Sequence, residues 1–353
     1  MATDTDDLII NTGPVSSFGS LTYHVAPRLA DLRNALVHGY DPNVAFDLRG
    51  LSQGRMSISA LTAFLSLAHR LRTFYGHPIP TLINWNPAIQ SFWADVDFLK
   101  IVQQLSLLEI NQGLLGGYKS GQTNKQTRIL YFNEIPSPSD LSTKENMYAW
   151  KDACRQSVKE RLSYFLFDLL RNIGIPLAKA RNLEMVLGIT TAELIVNALL
   201  HGRDLAFVGI QRSSRGVTVS VCDSGRGFLK SMRDNYLNQM PQSNEATHAN
   251  AIAIASLMKR EEIGLYRAIS DVLGNYGWVV MSSFDCEIRW EPEFWLKVAS
   301  RFDENRPFDH LVGLKLLGQP QDSRYGVKES YRGYYKQFKD SLVGTRVTFE
   351  IPV

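Results

Sequence analysis

Only three cysteines, Cys154, Cys222 and Cys286, occur in 353 residues. Their odd number and wide separation exclude a disulfide framework, and no CxxC or Cys/His spacing suggests zinc. A reducing cytoplasm is the simplest expectation. No apolar run approaches the roughly 18 residues that a membrane span needs. The opening MATDTDDLIINTG is acidic and lacks an apolar core, which argues against a secretory signal. Net charge is small: 38 Lys+Arg against 35 Asp+Glu leave +3, which makes no case for nucleic acid. Internal repeats and long low-complexity segments are missing too. What is present is ordinary for a globular chain, 44% hydrophobic and 21% charged, at a length that suits about two domains.

The first 20 residues are polar, and a frayed tail is expected there. VAFDL (Val44 to Leu48) reads as a buried strand. Ser57 to Tyr75 carries one apolar face at helical spacing. PTLINW (Pro80 to Trp85) reads as a second strand, and Pro87 suits the first position of a further helix. Strands alternating with helices predict an α/β unit with parallel pairing over about 21–110. Residues 111–143 are rich in Gly, Ser, Thr, Asn and Pro and read as a linker carrying one short strand, RILYF. A second unit is expected over 144–353. It has helix from Glu145 to Leu170 and again up to Leu200, with Gly202 as the cap. LAFVGI and VTVSVCD follow as an antiparallel pair, then helix over Gly264 to Gly274, strand at WVVMSSF, and strand at VGTRVTFEIPV.

Chemistry concentrates between Glu193 and Gly227. Glu193, Asn197 and His201 are spaced by four and share one face of a helix. A carboxylate there can take a proton from water, and an amide oxygen can join the shell of Mg²⁺. Thr190-x-x-Glu193 also fits a capping box, and His201 also suits a cationic helix end. One hairpin later comes Asp223-x-Gly225-x-Gly227. Asp and Gly are common turn formers, but glycine also lets backbone approach a ligand closely.

In order and spacing, ELIVNALLHG followed by VCDSGRGF resembles the GHKL ATPase superfamily, and its anti-sigma factor kinase branch above all. The resemblance runs over roughly Leu162 to Val353. It implies an α/β sandwich, a mixed sheet covered by helices on one face, that binds ATP with Mg²⁺. It makes Glu193 the catalytic base and Asn197 the metal ligand. It assigns His201, Asp223, Gly225, Gly227, Gly264, Leu265 and Thr345 to the nucleotide, with Asp223 accepting from the adenine amine. Two departures stand out. The turn before the Gly264 helix has one glycine where the family has two or three, with Glu261 and Glu262 beside it. About 60 residues, 284–343, stand where the family has a short turn. Their segment SRYGVKESYRGYYKQFK reads as an amphipathic helix with a basic face, or as a basic and aromatic track for a nucleic-acid backbone.

The pattern over 21–110 resembles a STAS domain, the fold of anti-sigma factor antagonists. Ser57-Ile58-Ser59-Ala60 stands where those antagonists carry Asp-Ser-Ser-Gly, so Ile58 takes the acceptor slot, and Ser57 and Ser59 suit a helix cap. The combination implies a regulatory ATPase with a protein partner, such as a STAS protein, and no membrane. A serine/threonine kinase acting on a STAS protein and a non-catalytic interaction module are the alternatives. Oligomeric state is not legible.

Overall fold

The computed structural model describes residues 7–13, 17–51, 56–83, 87–110, 126–171, 175–235, 247–259, 264–303, 305, 321–322, 328–329 and 334–353. The first unit alternates strand and helix: β1 (Leu8–Asn11), α1 (Phe18–Val37), β2 (Val44–Asp47), α2 (Ile58–Tyr75), β3 (Ile79–Leu82), α3 (Pro87–Asp95), α4 (Phe98–Gln104) and β4 (Leu108–Glu109). The strands line up in sequence order and every pairing is parallel, as the alternation predicts. Ser57 caps α2 by accepting from the Ala60 N–H, and Gly76 ends it in the left-handed region. The Ser57 and Ser59 hydroxyls meet at 3.1 Å.

The second unit opens earlier than expected. RILYF, assigned to a linker, belongs to β5 (Thr127–Phe132), which pairs with the next strand over its whole length. Then come α5 (Lys144–Arg171), α6 (Leu177–Asn197), a π-helical turn (Ala198–Gly202), β6 (Ala206–Arg212), β7 (Gly216–Asp223), α7 (Gly227–Asn235), α8 (His248–Leu257), α9 (Leu265–Gly274), β8 (Trp278–Trp290), α10 (Pro292–Ala299), β9 (Gln321–Asp322), β10 (Lys328–Glu329) and β11 (Tyr335–Pro352). The main strands lie in the order β5-β6-β7-β11-β8, with β10 and β9 beside the first part of β11. All of these pairings are antiparallel, so the expected mixed sheet is corrected. The crossover through α7–α9 does join two strands of like direction, β7 and β8. The last strand, β11, slots between them and pairs with both, so the like-directed strands never touch.

Both faces of this sheet are covered, where helices on one face were expected. On one side α5, α6, α8 and α9 bury Leu166, Leu187, Ile195 and Val272 against Val208, Val219, Val347 and Phe349. On the other side α1 and α2 lie across β6, β7 and β11. Gly209 leaves the space that Ile58 and Thr62 fill: a Cβ there would fall 2.3 Å from Ile58 Cγ1. A polar seam runs through this junction. Thr62 donates to Ser220 at 3.2 Å, Ser220 meets Thr348 at 2.9 Å, and the Cys222 thiol donates to Thr62 at 3.3 Å. Buried hydroxyls satisfied this way avoid the cost of desolvated, unpaired polar groups.

Two further expectations change. Leu177–Gly202 is apolar and long enough to pass as a membrane span by composition, a property the run-length reading missed. Leu187, Ile195 and Leu199 are fully buried in the fold, which accounts for that apolarity. The 284–343 segment begins and ends as an extension of the sheet, with Ile288 paired to Tyr335. The described part of the tyrosine-rich stretch is strand instead of amphipathic helix; residues 323–327 and 330–333 lie outside the described residues. Phe294 of α10 stacks on Tyr334 with ring centres 4.3 Å apart.

Candidate functional site

The site forms where the C-terminal half of α6 meets the end of β7. The helix runs from Leu177 through Asn197 and widens into the π-helical turn, a local feature often found where a helix serves a site. Thr190 lies deep inside this helix, so the capping-box reading of Thr190 and Glu193 is corrected; the N-cap is Pro176. The left-handed residue that ends the turn is Arg203, and Gly202 precedes it.

A cavity of ≈ 250 Å³ opens beside this turn, and Asn197, His201, Asp223, Gly227, Leu265 and Thr345 all line it. Leu194, Val221, Phe228 and Met232 supply apolar wall, so a few polar groups converge in an otherwise apolar pocket, the usual make-up of a small-molecule site. The Asn197 Nδ2 is buried with no hydrogen-bond partner among the described residues, an unsatisfied donor that a ligand would relieve. The amide oxygen of the same side chain is of the type that joins the shell of a hydrated divalent cation.

Asp223 is 4% exposed. The Gly225 N–H donates to its Oδ1 at 2.9 Å, and Thr345, its cross-strand partner, bonds it through both hydroxyl and backbone. Burial pushes the carboxyl up to about 7, with the Asp204 charge adding to the rise and the Gly225 and Thr345 bonds opposing it. Two glycines make this packing possible. Gly344 has φ 93, and a Cβ on it would fall 1.9 Å from the Asp223 carbonyl oxygen. A Cβ on Gly225 would fall 2.2 Å from the Gly202 oxygen.

His201 is a neutral imidazole at pH 7 and not a helix-end cation: burial takes it down to about 4, helped by the charges of Lys151, Arg226 and Arg203. Asp204 links the site to the first unit. His69 Nδ1 of α2 lies 3.2 Å from its Oδ1, and the Ser224 hydroxyl donates to its Oδ2. Burial raises the Asp204 carboxyl, and these bonds outweigh it and hold the group below its usual range.

Glu193 does not line the cavity. Arg155 of α5 grips it through Nε at 2.6 Å and Nη2 at 3.1 Å. Gly264 packs against the same carboxylate, with a Cβ there falling 2.5 Å from Glu193 Oε2; it too stays outside the cavity, while Leu265 enters it. Arg260, Glu261 and Glu262 lie outside the described residues. Lys259 sits over Tyr266, 5.7 Å from its ring centre, and exposed Arg267 faces Asp271 at 3.9 Å.

Sequence reasoning missed the wall that α5 contributes: Lys144, Met147 and Lys151. The signal was there for Lys151. It stands in register with Cys154, Val158 and Leu162, the buried stripe of α5, at a position where a solvated lysine has no place. Comparison with protein-family models, curated proteins and solved structures finds no match to this chain.

Proposed function

We propose that the cavity binds ATP with Mg²⁺, and that the chain is a regulatory ATPase of GHKL type whose nucleotide state is passed to a protein partner. The observation that carries this reading is the single cavity shared by Asn197, His201, Asp223, Gly227, Leu265 and Thr345, six of the residues the resemblance assigns to the nucleotide or its metal. Asp223, fixed by Gly225 and Thr345, would accept from the exocyclic amine of adenine. Guanine turns a carbonyl to the same edge and would meet a carboxylate oxygen there above about pH 7, where Asp223 is ionised, so at that pH the site should prefer adenine. Asn197 fits a Mg²⁺ ion that keeps waters and phosphate oxygens for its other positions. Such an ion does not require a cluster of three ligating side chains, and the described residues hold none. When bound, the ion would neutralise phosphate charge.

Glu193 stands one helical turn before Asn197, where a base would act if Arg155 released it. Its two-point hold by Arg155 favours a second reading at the same site: a module that binds nucleotide with slow turnover or none. In both readings the first unit is the output. α2 packs on the outer face of the sheet, and His69 reaches Asp204, whose charge acts on Asp223.

Calorimetry with ATP, ADP and GTP, each with and without Mg²⁺, tests the proposal. Binding of ATP and ADP in preference to GTP is expected. Indifference to all three would sink both readings.

A further inference from the structure

Helix α2 of the first unit lies across β7 of the second. Thr62 bonds to Ser220 and Cys222 in that strand. Further along the same helix face, His69 reaches Asp204, in the turn that follows the π-helical segment. The Asp204 carboxylate is shared three ways. The Leu205 N–H donates to Oδ1 at 2.8 Å, His69 Nδ1 lies 3.2 Å from the same oxygen, and the Ser224 hydroxyl donates to Oδ2. Ser224 is fully buried. It stands between Asp223, which lines the cavity, and Gly225, whose N–H donates to Asp223 Oδ1 at 2.9 Å. The turn also touches Asp223 directly, since a Cβ on Gly202 would fall 2.9 Å from its carboxyl carbon. No residue of α2 lines the cavity, so the hold of that helix on a ligand is indirect. Contiguous, buried, bonded contacts of this kind are what carry energetic coupling between parts of a fold.

We infer that His69 is a positioning residue for the cavity: through Asp204 and Ser224 it holds the Asp223 loop in its binding geometry, so the first unit sets the affinity of the site. Coupling of this kind is reciprocal, so a partner that draws α2 away from Asp204 would loosen the ligand. The inference rests on the nucleotide reading for the identity of the ligand. The tie from His69 to Asp223 is a property of the ligand-free chain and can be read without nucleotide.

Two measurements test it on His69→Leu, His69→Asn and Ser224→Ala: amide exchange at Gly225 in the ligand-free chain, followed by NMR, and calorimetry with ADP. Leucine and asparagine share a branched shape, and only asparagine keeps a polar atom near where Nδ1 stood. In His69→Leu and in Ser224→Ala, exchange at Gly225 is expected to quicken about fivefold or more, and ADP affinity to fall by about as much, while amides in α5 and β6 keep their wild-type rates. His69→Asn should restore most of both. The double variant His69→Leu, Ser224→Ala should lose little beyond either single one, because both changes cut the same tie. A response at Gly225 in a protein that binds no ADP would keep the tie from His69 to Asp223 and remove the purine reading. ADP binding that His69→Leu leaves unaltered overturns the inference and leaves the purine reading standing. Unchanged exchange at Gly225 overturns it with or without nucleotide. So does faster exchange spread evenly over both units, or an asparagine variant no better than the leucine one.

Discussion

Arg155 and Glu193 form a two-point ion pair between neighbouring helices, with Nε to Oε1 at 2.6 Å and Nη2 to Oε2 at 3.1 Å. Their side chains are 25% and 15% exposed, so the pair is partly screened and worth less than a fully buried one. A double-mutant cycle with Arg155→Met and Glu193→Gln, read by urea unfolding, should give a coupling of about 1–3 kcal/mol. A coupling near zero would show that the two groups do not hold each other in solution.

If Glu193 serves as a base at all, the same glutamine variant should cut ATP turnover by about 10²–10⁴. Turnover that survives Glu193→Gln takes the residue out of that role. Turnover that increases in Arg155→Met would mark the arginine as a restraint on the base.

Above about pH 7, where Asp223 is ionised, Asp223→Asn replaces an acceptor with a group that both accepts and donates. The ATP-over-GTP preference should shrink by about 10- to 100-fold, the range expected when one hydrogen bond to a charged group is lost. Competition binding with a fluorescent adenine nucleotide measures it, and an unchanged ratio would mean that Asp223 does not read the base.

The same variant isolates a pH effect. Asp223 is raised from 3.8 to about 7 in the folded chain, so between those values the folded state keeps a proton that the unfolded state has released. Its contribution to stability is full below about pH 4 and is lost as pH rises to 7. His201, lowered from 6.5 to about 4, acts in the opposite sense, with stability lost as pH falls from 6.5 to 4. The melting temperature of Asp223→Asn minus that of wild type should therefore climb steadily from pH 4 to 7.5, because only the first effect has been removed. A flat difference would show that Asp223 titrates normally.

Gly209→Val should weaken the junction between the two units, since even a Cβ would fall 2.3 Å from Ile58 and 2.8 Å from Thr62. Overpacking of this kind typically costs about 1–3 kcal/mol, visible as a lower urea midpoint. Partial relief by Ile58→Ala in the double variant would locate the clash at that contact.

Local patterns carried most of the secondary structure. α2 was legible from its apolar stripe and Ser57 cap, and the β6–β7 hairpin from two apolar runs, LAFVGI and VTVSVCD, joined by the short turn SSRG. The convergence of Asn197, Asp223 and Thr345 rested on a motif order that spans distant parts of the chain. Thr190 fits a capping signature, but helix running up to Leu200 already puts it in a helix interior, as the start at Leu177 bears out. Two features were not legible because they depend on partners remote in sequence. Arg155 meets Glu193 only once α5 lies against α6. The sheet looked mixed because nothing in β7 or β8 announces that β11 will come between them.

That placement of β11 also makes the sheet depend on one strand that is distant in sequence from β7. The strand latest in the sequence is a central one, bonded to β7 along one edge and β8 along the other. Until it arrives, β5-β6-β7 and β8 are two separate pieces, each with a raw backbone edge where Thr345 and its neighbours should be. Pairings this far apart in the chain are slow to close, and open edges invite other chains in the meantime. Shortening the protein from within β11 would therefore do more than trim an end: it would cleave the sheet through its middle.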